Sequence, residues 1–338
     1  MRRCLWLARL GAGHVAPNPM VGAVLVFEDR IIGEGYHRQY GGAHAEPECI
    51  DSVSAVDREL VGRSTLYVSL EPCAHHGKTP PCADLIVRMG IPRVVIGCRD
   101  PFPQVNGKGI DKLRAAGVDV EVGVLEKECV ELNKRFFTFH LRHRPYIVLK
   151  WAQTANGLIA GDGARLHITG DITDRLVHRW RSEEASILVG PRTALLDDPA
   201  LTVRLWTGSN PIRLVIDAAL ELPPSLKLFD GKVRTIVFNH LRHEEIGPLQ
   251  YYQLATDSSL IHQVVLGLHH LKIQSVLVEG GARLLQSFID EDYWDEARVI
   301  TNNELEPPAW LPAPGLKDAH RVSEETLLSD TIRYYEHD

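Results

Sequence analysis

The sequence predicts an α/β protein of two domains, and three observations carry that expectation. Short apolar runs rich in Val, Ile and Leu alternate with amphipathic stretches, the pattern of strands and helices layered around a parallel or mixed sheet. The chain has 338 residues, more than one hydrophobic core usually serves. The alternation also breaks once, where the aromatic and basic stretch Arg135 to Arg144 leads into Pro145. Domains are therefore expected at 1–143 and 144–338.

Each element has its own justification. Met1 to Leu10 places Cys4, Leu5, Leu7 and Ala8 on one helical face and stops at Gly11 and Gly13; it begins without a capping residue, so a start a few residues upstream is expected. Ala23 to Phe27 is a continuous apolar run before Glu28-Asp29, a strand and turn, and Ile31-Ile32-Gly33 returns. A loop from Gly35 to Ala43 delivers His44 to a helix from Ala45 to about Ser54. Ser64 to Leu70 is a strand ending at Glu71-Pro72-Cys73, and Cys82 opens a helix that closes at Gly90. Val94 to Gly97, Gly109 to Ala116 and Val118 to Val122 continue as strand, helix and strand. The Phe136 to Pro145 stretch could stack on nucleic acid, but no second basic patch supports that; a linker helix with its aromatics packed between the domains is expected. Tyr146 to Ala152 opens the second domain as a strand, Ser275 to Leu284 reads as strand, glycine pair and helix, and Thr331 to Tyr335 as a terminal strand beyond a proline-rich segment, 307–314.

Composition excludes several classes of function. Lys and Arg number 37 against 44 Asp and Glu. Up to His143 there are 18 basic and 17 acidic residues, and after it 19 and 27. Neither half is basic, which argues against a polyanion groove, since nucleic-acid affinity rests on clustered Lys and Arg. Six cysteines in a chain of this length make no dense disulfide framework and suit a reducing compartment. Cys4, Cys49, Cys98 and Cys129 are read as simple thiols. No signal segment and no run of about 18 apolar residues occurs, so a cytoplasmic protein without membrane contact is expected.

The chemistry concentrates between His44 and Cys82. His44-Ala45-Glu46 is followed by Glu71-Pro72-Cys73 and, with eight residues between the cysteines, by Cys82. One imidazole and two thiolates suit Zn²⁺, and three protein ligands instead of four leave a coordination position for water, as catalytic sites do. Zinc brings the pKa of a bound water towards ~7, and Glu46, two residues after the first ligand, is placed to carry protons. The set resembles the H-x-E … P-C-x-x-C signature of zinc nucleobase deaminases, with one departure: the loop between the cysteines is longer.

That longer loop, Ala-His-His-Gly-Lys-Thr-Pro-Pro, resembles the deaminase half of the bifunctional riboflavin-biosynthesis deaminase/reductase family. Pro17-Asn18-Pro19-Met20-Val21-Gly22 matches it too. The second half resembles the family's reductase in Leu149 to Gly157, Ile187 to Gly190, Leu196 to Arg204, Pro211 to Asp217 and Ser275 to Leu284. The resemblance runs from Arg3 to about Arg298. It implies a cytidine-deaminase-like α/β/α sandwich followed by a dihydrofolate-reductase-like α/β domain.

The resemblance also implies the reactions: hydrolytic deamination of 2,5-diamino-6-(5-phosphoribosylamino)pyrimidin-4-one, then NADPH reduction of its ribosyl group to ribityl. Glu46 and Lys150 become the catalytic residues and His44, Cys73 and Cys82 the metal ligands. Substrate contacts fall on Asn18, His37, His75, Lys78, Arg181, Leu201, Arg204 and Glu279. The cofactor falls on Gln153, His167, Thr193, Asp197, Gly280 and Gly281, where a strand, a glycine pair and a helix can bring backbone N–H groups to a phosphate. A phosphoribosyl pyrimidine is the partner, and a homo-oligomer, dimer or tetramer, is expected. One departure stands out: Arg165-Leu166-His167-Ile168-Thr169 replaces the family's Ser-x-Trp-Ile-Thr. It leaves open an active deaminase whose reductase half has become a ligand-binding module. A nucleic-acid deaminase is the other alternative, disfavoured by the charge balance and the long loop.

Overall fold

The computed structural model describes residues 1–74, 80–160, 167–305 and 311–338. They form two compact units, Met1–His143 and Arg144–Asp338, each a helix-covered sheet.

In the first unit five strands, β1 (Gly22–Phe27), β2 (Arg30–Tyr36), β3 (Thr65–Leu70), β4 (Arg93–Cys98) and β5 (Asp119–Val122), stand in the order β2-β1-β3-β4-β5. The β1 strand is antiparallel to β2 and β3, and β3, β4 and β5 are parallel. The helices are α1 (Arg2–Arg9), α2 (Ala45–Asp51), α3 (Cys82–Arg88), α4 (Lys108–Ala115), α5 (Glu126–Leu132) and α6 (Lys134–Arg142). Strand alternation explains the layers. Ala23 and Leu25 pack with Cys49, Ile86 and Ile110 of α2, α3 and α4, while Val24 packs with Cys4 and Leu7 of α1. Both faces are therefore buried. Gly35 lets α2 settle directly on β2, since a Cβ there would lie 2.2 Å from the Cys49 backbone nitrogen.

The second unit has ten strands in its large sheet among the described residues. They are β6 (Tyr146–Thr154), β8 (Ser186–Val189), β9 (Ile212–Ile216), β10 (Thr235–Asn239), β11 (Glu244–Ile246), β12 (Leu249–Gln253), β13 (Ser275–Gly280), β14 (Glu296–Asn302), β16 (Ala319–Leu327) and β17 (Asp330–His337); β7 (Leu158–Ala160) and β15 (Leu311–Pro312) pair separately. Their order is β11-β12-β10-β9-β8-β13-β6-β14-β17-β16. The central strands are parallel and the edges antiparallel. One face carries α9 (Leu260–His270) and α10 (Ala282–Asp290), whose Val264, Leu268, Leu285 and Phe288 pack on Leu149, Leu214 and Val278. The other carries α7 (Asp171–Glu183), through Val177 and Trp180 on Val148 and Leu277, and α8 (Pro191–Asp197), through Ala194 on Ile187 and Val215. Burial on both faces is why these strands read as unbroken apolar runs.

Three elements differ from or add to what the sequence suggested. The helix after His44 ends at Asp51, short of Ser54, because the Ser52 hydroxyl turns back to the Cys49 carbonyl (2.7 Å) and accepts the Glu34 N–H. The aromatic segment forms α6 inside the first unit. Its Phe137 packs with Leu5, Leu70 and Cys98, and Phe136 lies against His140 at 4.5 Å between ring centres. The terminal strand pairs with β16, which had not been anticipated; β16 is exposed over most of its length, leaving no apolar alternation to read. Pro307 and Pro308 lie outside the described residues, as do Arg165 and Leu166. No described helix is long and apolar enough to cross a membrane.

Candidate active sites

The first unit's site collects at the carboxyl ends of the parallel strands β3 and β4 and at the N-terminus of α2, where open α/β sheets hold ligands. His44 is the residue that caps α2, Cys73 follows the turn after β3, and Cys82 is the first residue of α3. The His44 Nδ1 lies 3.6 Å from Cys73 Sγ and 3.3 Å from Cys82 Sγ, and all three donor atoms fall within 4.8 Å of one another. Zinc bonds of ~2.0–2.3 Å at tetrahedral angles put ligand atoms roughly 3.5 Å apart, so the set fits zinc. The Cys82 N–H donates to Cys73 Sγ at 3.3 Å. Hydrogen bonding from the Cys82 thiol, helped by His44, lowers the Cys73 pKa against the effect of burial, the direction that suits a thiolate ligand.

Glu46, the second residue of α2, is 3% exposed. Burial and the neighbouring Cys73 push its carboxyl up to about 7, with His44 opposing. A carboxyl poised there can take or give a proton near neutrality. It lines a cavity of about 270 Å³ with Asn18, His37, His44 and Cys73. The two residues expected to touch substrate meet: Asn18 Nδ2 lies 3.1 Å from His37 Nε2, and His37 Nδ1 lies 2.7 Å from the Ala43 carbonyl. These partners assign the Nδ1–H tautomer, with Nε2 accepting from Asn18. His37 is 2% exposed, and burial lowers its pKa, so it is not a solvated loop residue. His75 and Lys78 lie outside the described residues.

Sequence reasoning missed the opposite wall. Asp100, Phe102, Val105 and Phe136 line the same cavity, as does Glu71. Asp100 is buried and accepts the Phe102 N–H at 2.8 Å; burial pushes its carboxyl up to about 7. The signal available was position, since Asp100 stands two residues beyond β4, at the carboxyl edge of a parallel strand.

In the second unit Lys150, Arg181 and Glu279 form one buried cluster. Arg181 reaches both Glu279 carboxylate oxygens at 2.7 Å, and Lys150 Nζ lies 4.0 Å from Oε2. Burial opposes ionisation of Glu279, but Arg181 and Lys150 outweigh it and bring its pKa down to about 2. Burial also lowers the Lys150 pKa, against the pull of Glu279. The Arg204 N–H donates to His178 Nδ1 at 2.9 Å, and His178 is pushed down to about 4 by burial, then by Arg181 and Arg204. That imidazole is a neutral acceptor pinning the Arg204 loop to α7. Leu201 does not present its side chain: it is 2% exposed and packed with Ile187, Val189 and Ala194.

The expected cofactor residues fall in two groups. Thr193 of α8 faces the glycine pair before α10: a Cβ on Gly281 would lie 3.2 Å from Thr193 Oγ1, and Gly280 has φ +141°. The Gly190 N–H donates to the Gly280 carbonyl at 3.1 Å. Two helix N-termini thus adjoin a cradle that side chains would fill, which suits a phosphate-bearing cofactor. Asp197 is one turn further along α8. Gln153 accepts from Trp151 Nε1 at 2.8 Å on β6, and His167 Nε2 lies 2.9 Å from Asp174 Oδ2.

Fold and site together define a zinc-binding deaminase unit joined to a reductase unit. Residues 1–98 match the family described as the cytidine and deoxycytidylate deaminase zinc-binding region, and residues 145–302 match the RibD C-terminal domain. The riboflavin biosynthesis protein RibD of Aquifex aeolicus is 42% identical over 306 residues, covering 89% of this chain and 85% of its own. That of Bacillus amyloliquefaciens is 39% identical over 323 residues, 91% and 86% of the two chains. The Thermotoga maritima diaminohydroxyphosphoribosylaminopyrimidine deaminase/5-amino-6-(5-phosphoribosylamino)uracil reductase superposes with a TM-score of 0.90 at 37% identity, covering 100% of this chain and 97% of its own. The chain belongs to the RibD family of riboflavin biosynthesis, the bifunctional deaminase/reductases.

Proposed function

We propose that residues 1–143 deaminate 2,5-diamino-6-(5-phosphoribosylamino)pyrimidin-4-one and that residues 144–338 reduce the ribosyl group of the product to ribityl, with NADPH as the reductant. The observation that carries the reading is the three-ligand cluster of His44, Cys73 and Cys82 with buried Glu46 beside it.

His44, Cys73 and Cys82 would hold the zinc, which would supply a water activated as a nucleophile near neutral pH. Glu46 accepts the first proton of the water as oxygen bonds to the ring carbon and passes it to the ring nitrogen. It then takes the second proton from the added hydroxyl as the carbonyl forms and gives it to the departing amine, so that one water is consumed and one ammonia leaves. Asn18, oriented by neutral His37, which accepts from its amide, holds the ring through hydrogen bonds, and His37 lines the cavity beside it; the buried wall opposite keeps bulk water out.

NADPH, when bound, would supply the hydride. Lys150 polarises the carbonyl or imine of the opened ribose by a charged hydrogen bond to its heteroatom, which takes up a proton as the carbon takes the hydride, and Glu279 fixes both Lys150 and Arg181. Arg181 and Arg204 suit the substrate phosphate through paired N–H donors. Thr193 and the Gly280-Gly281 turn would receive the cofactor, with Asp197, Gln153 and His167 along it.

Incubation of the zinc-loaded full chain with the diaminopyrimidine substrate and NADPH, following ammonia and NADPH together, tests the reading. One ammonia released and one NADPH oxidised per substrate is expected. Ammonia without NADPH oxidation would leave the reductase half a binding module.

A further inference from the structure

We propose that Glu71 is the positioning residue that ties the Cys73 ligand to the opposite wall of the deaminase cavity. The proposal rests on the deaminase reading of that cavity and adds a residue to it.

Glu71 is 4% exposed and stands two residues before Cys73. Its carboxylate accepts four backbone N–H groups: Oε2 takes those of Asp100 (3.2 Å) and Gly107 (3.0 Å), and Oε1 those of Gly109 (3.0 Å) and Ile110 (3.3 Å). Gly109 and Ile110 lie in the first turn of α4, whose capping residue is Gly107, a glycine at φ +84° with no side chain to offer. A helix start leaves N–H donors without partners, and a carboxylate there gains from both hydrogen bonds and the helix dipole. Glu71 supplies that cap from another element. Its own N–H donates to the Cys98 carbonyl at 3.0 Å, which anchors it to the end of β4.

Between the two ends of this clamp runs the segment carrying Asp100, Phe102 and Val105, all of which line the cavity with Glu46 and Cys73. Backbone fit tightens the same joint, because a Cβ on Gly109 would lie 1.9 Å from the Pro72 carbonyl oxygen. One carboxylate therefore holds a metal ligand's turn and the facing wall at a set distance. Deletion of the clamp should free the wall while the ligands, which stand on β3's turn, α2 and α3, stay.

Glu71→Gln is the test, since either amide orientation turns an NH₂ towards two N–H donors. In the full-length enzyme, deuterium uptake in peptides within 99–111 should accelerate about tenfold while peptides from β1 to β3 keep the parental rate, and zinc should remain at one per chain. KM for deamination should rise about tenfold with kcat within about threefold. Unchanged uptake, or faster uptake with unchanged KM, overturns the proposal. So does zinc loss with kcat falling at constant KM, the outcome for a residue that only supports the metal. Phe102→Ala alters the wall and leaves the clamp. It should raise KM with parental uptake at 107–111, and a parental KM there overturns the proposal even if Glu71→Gln does not fold. Failure of the parent to release ammonia would count against the deaminase reading alone; the exchange difference reads the clamp independently.

Discussion

Glu46 separates metal binding from proton transfer. It lies among the ligands without belonging to them, so Glu46→Gln should keep one zinc per chain and lose typically ~10²–10⁴-fold in deamination. Elemental analysis and ammonia release measure the two. A loss below tenfold would mean that another group carries the proton. Cys82→Ser should do the reverse and lose the metal, because two of three donors cannot hold a catalytic site; zinc retained at one per chain would contradict the ligand set. In the second unit Glu279 has a defined pH signature. Its folded pKa is lowered to about 2, so its contribution is fully present above the ordinary carboxylate range of ~4.5 and is lost as pH falls from there through the folded value. The parent's urea midpoint should therefore drop progressively as pH falls from about 5 to about 2. Glu279→Gln, which strands two buried cations, should cost about 3–5 kcal/mol at pH 7 and flatten that acid limb. An unaltered acid limb would remove Glu279 from the account.

Elements set how much could be read in advance. The α3 helix spans Cys82–Arg88 as its sequence suggested, because an amphipathic turn between a proline pair and a glycine has few other options. His44, Cys73 and Cys82 were legible since two thiols and an imidazole beside a glutamate have few other uses. Asp100 and Glu71 were not, because their roles come from what the sheet brings beside them, a buried edge and an uncapped α4, and neither lies in their own segment. The β16 strand was hidden for a different reason: as an exposed edge it carries charges on both faces. Leu201 is the opposite case, picked from a matching stretch but turned by its φ of +48° so that its side chain enters the core. The seating of α2 on β2 is also testable. Gly35→Val would push a side chain into the Cys49 backbone at 2.2 Å, costing about 1–3 kcal/mol or more and shifting His44. Weaker zinc affinity together with a lower thermal midpoint is expected, and parental zinc affinity would mean that α2 need not lie so close.

At the scale of the whole molecule, every proposed zinc and deaminase residue lies within Met1–His143 and every proposed reductase residue within Arg144–Asp338. Each unit has its own sheet and apolar core, as independently organised domains do. Mutations at distant sites without shared partners act additively. The most direct measurement is therefore ammonia release by full-length Lys150→Ala, made beside NADPH oxidation on pre-deaminated substrate. Release at the parental rate with NADPH oxidation reduced at least about a hundredfold is expected, given a charged group acting at the reacting carbon. Loss of ammonia release in a folded, zinc-loaded Lys150→Ala protein would mean that the two halves build one composite site, and would contradict the assignment of one reaction to each.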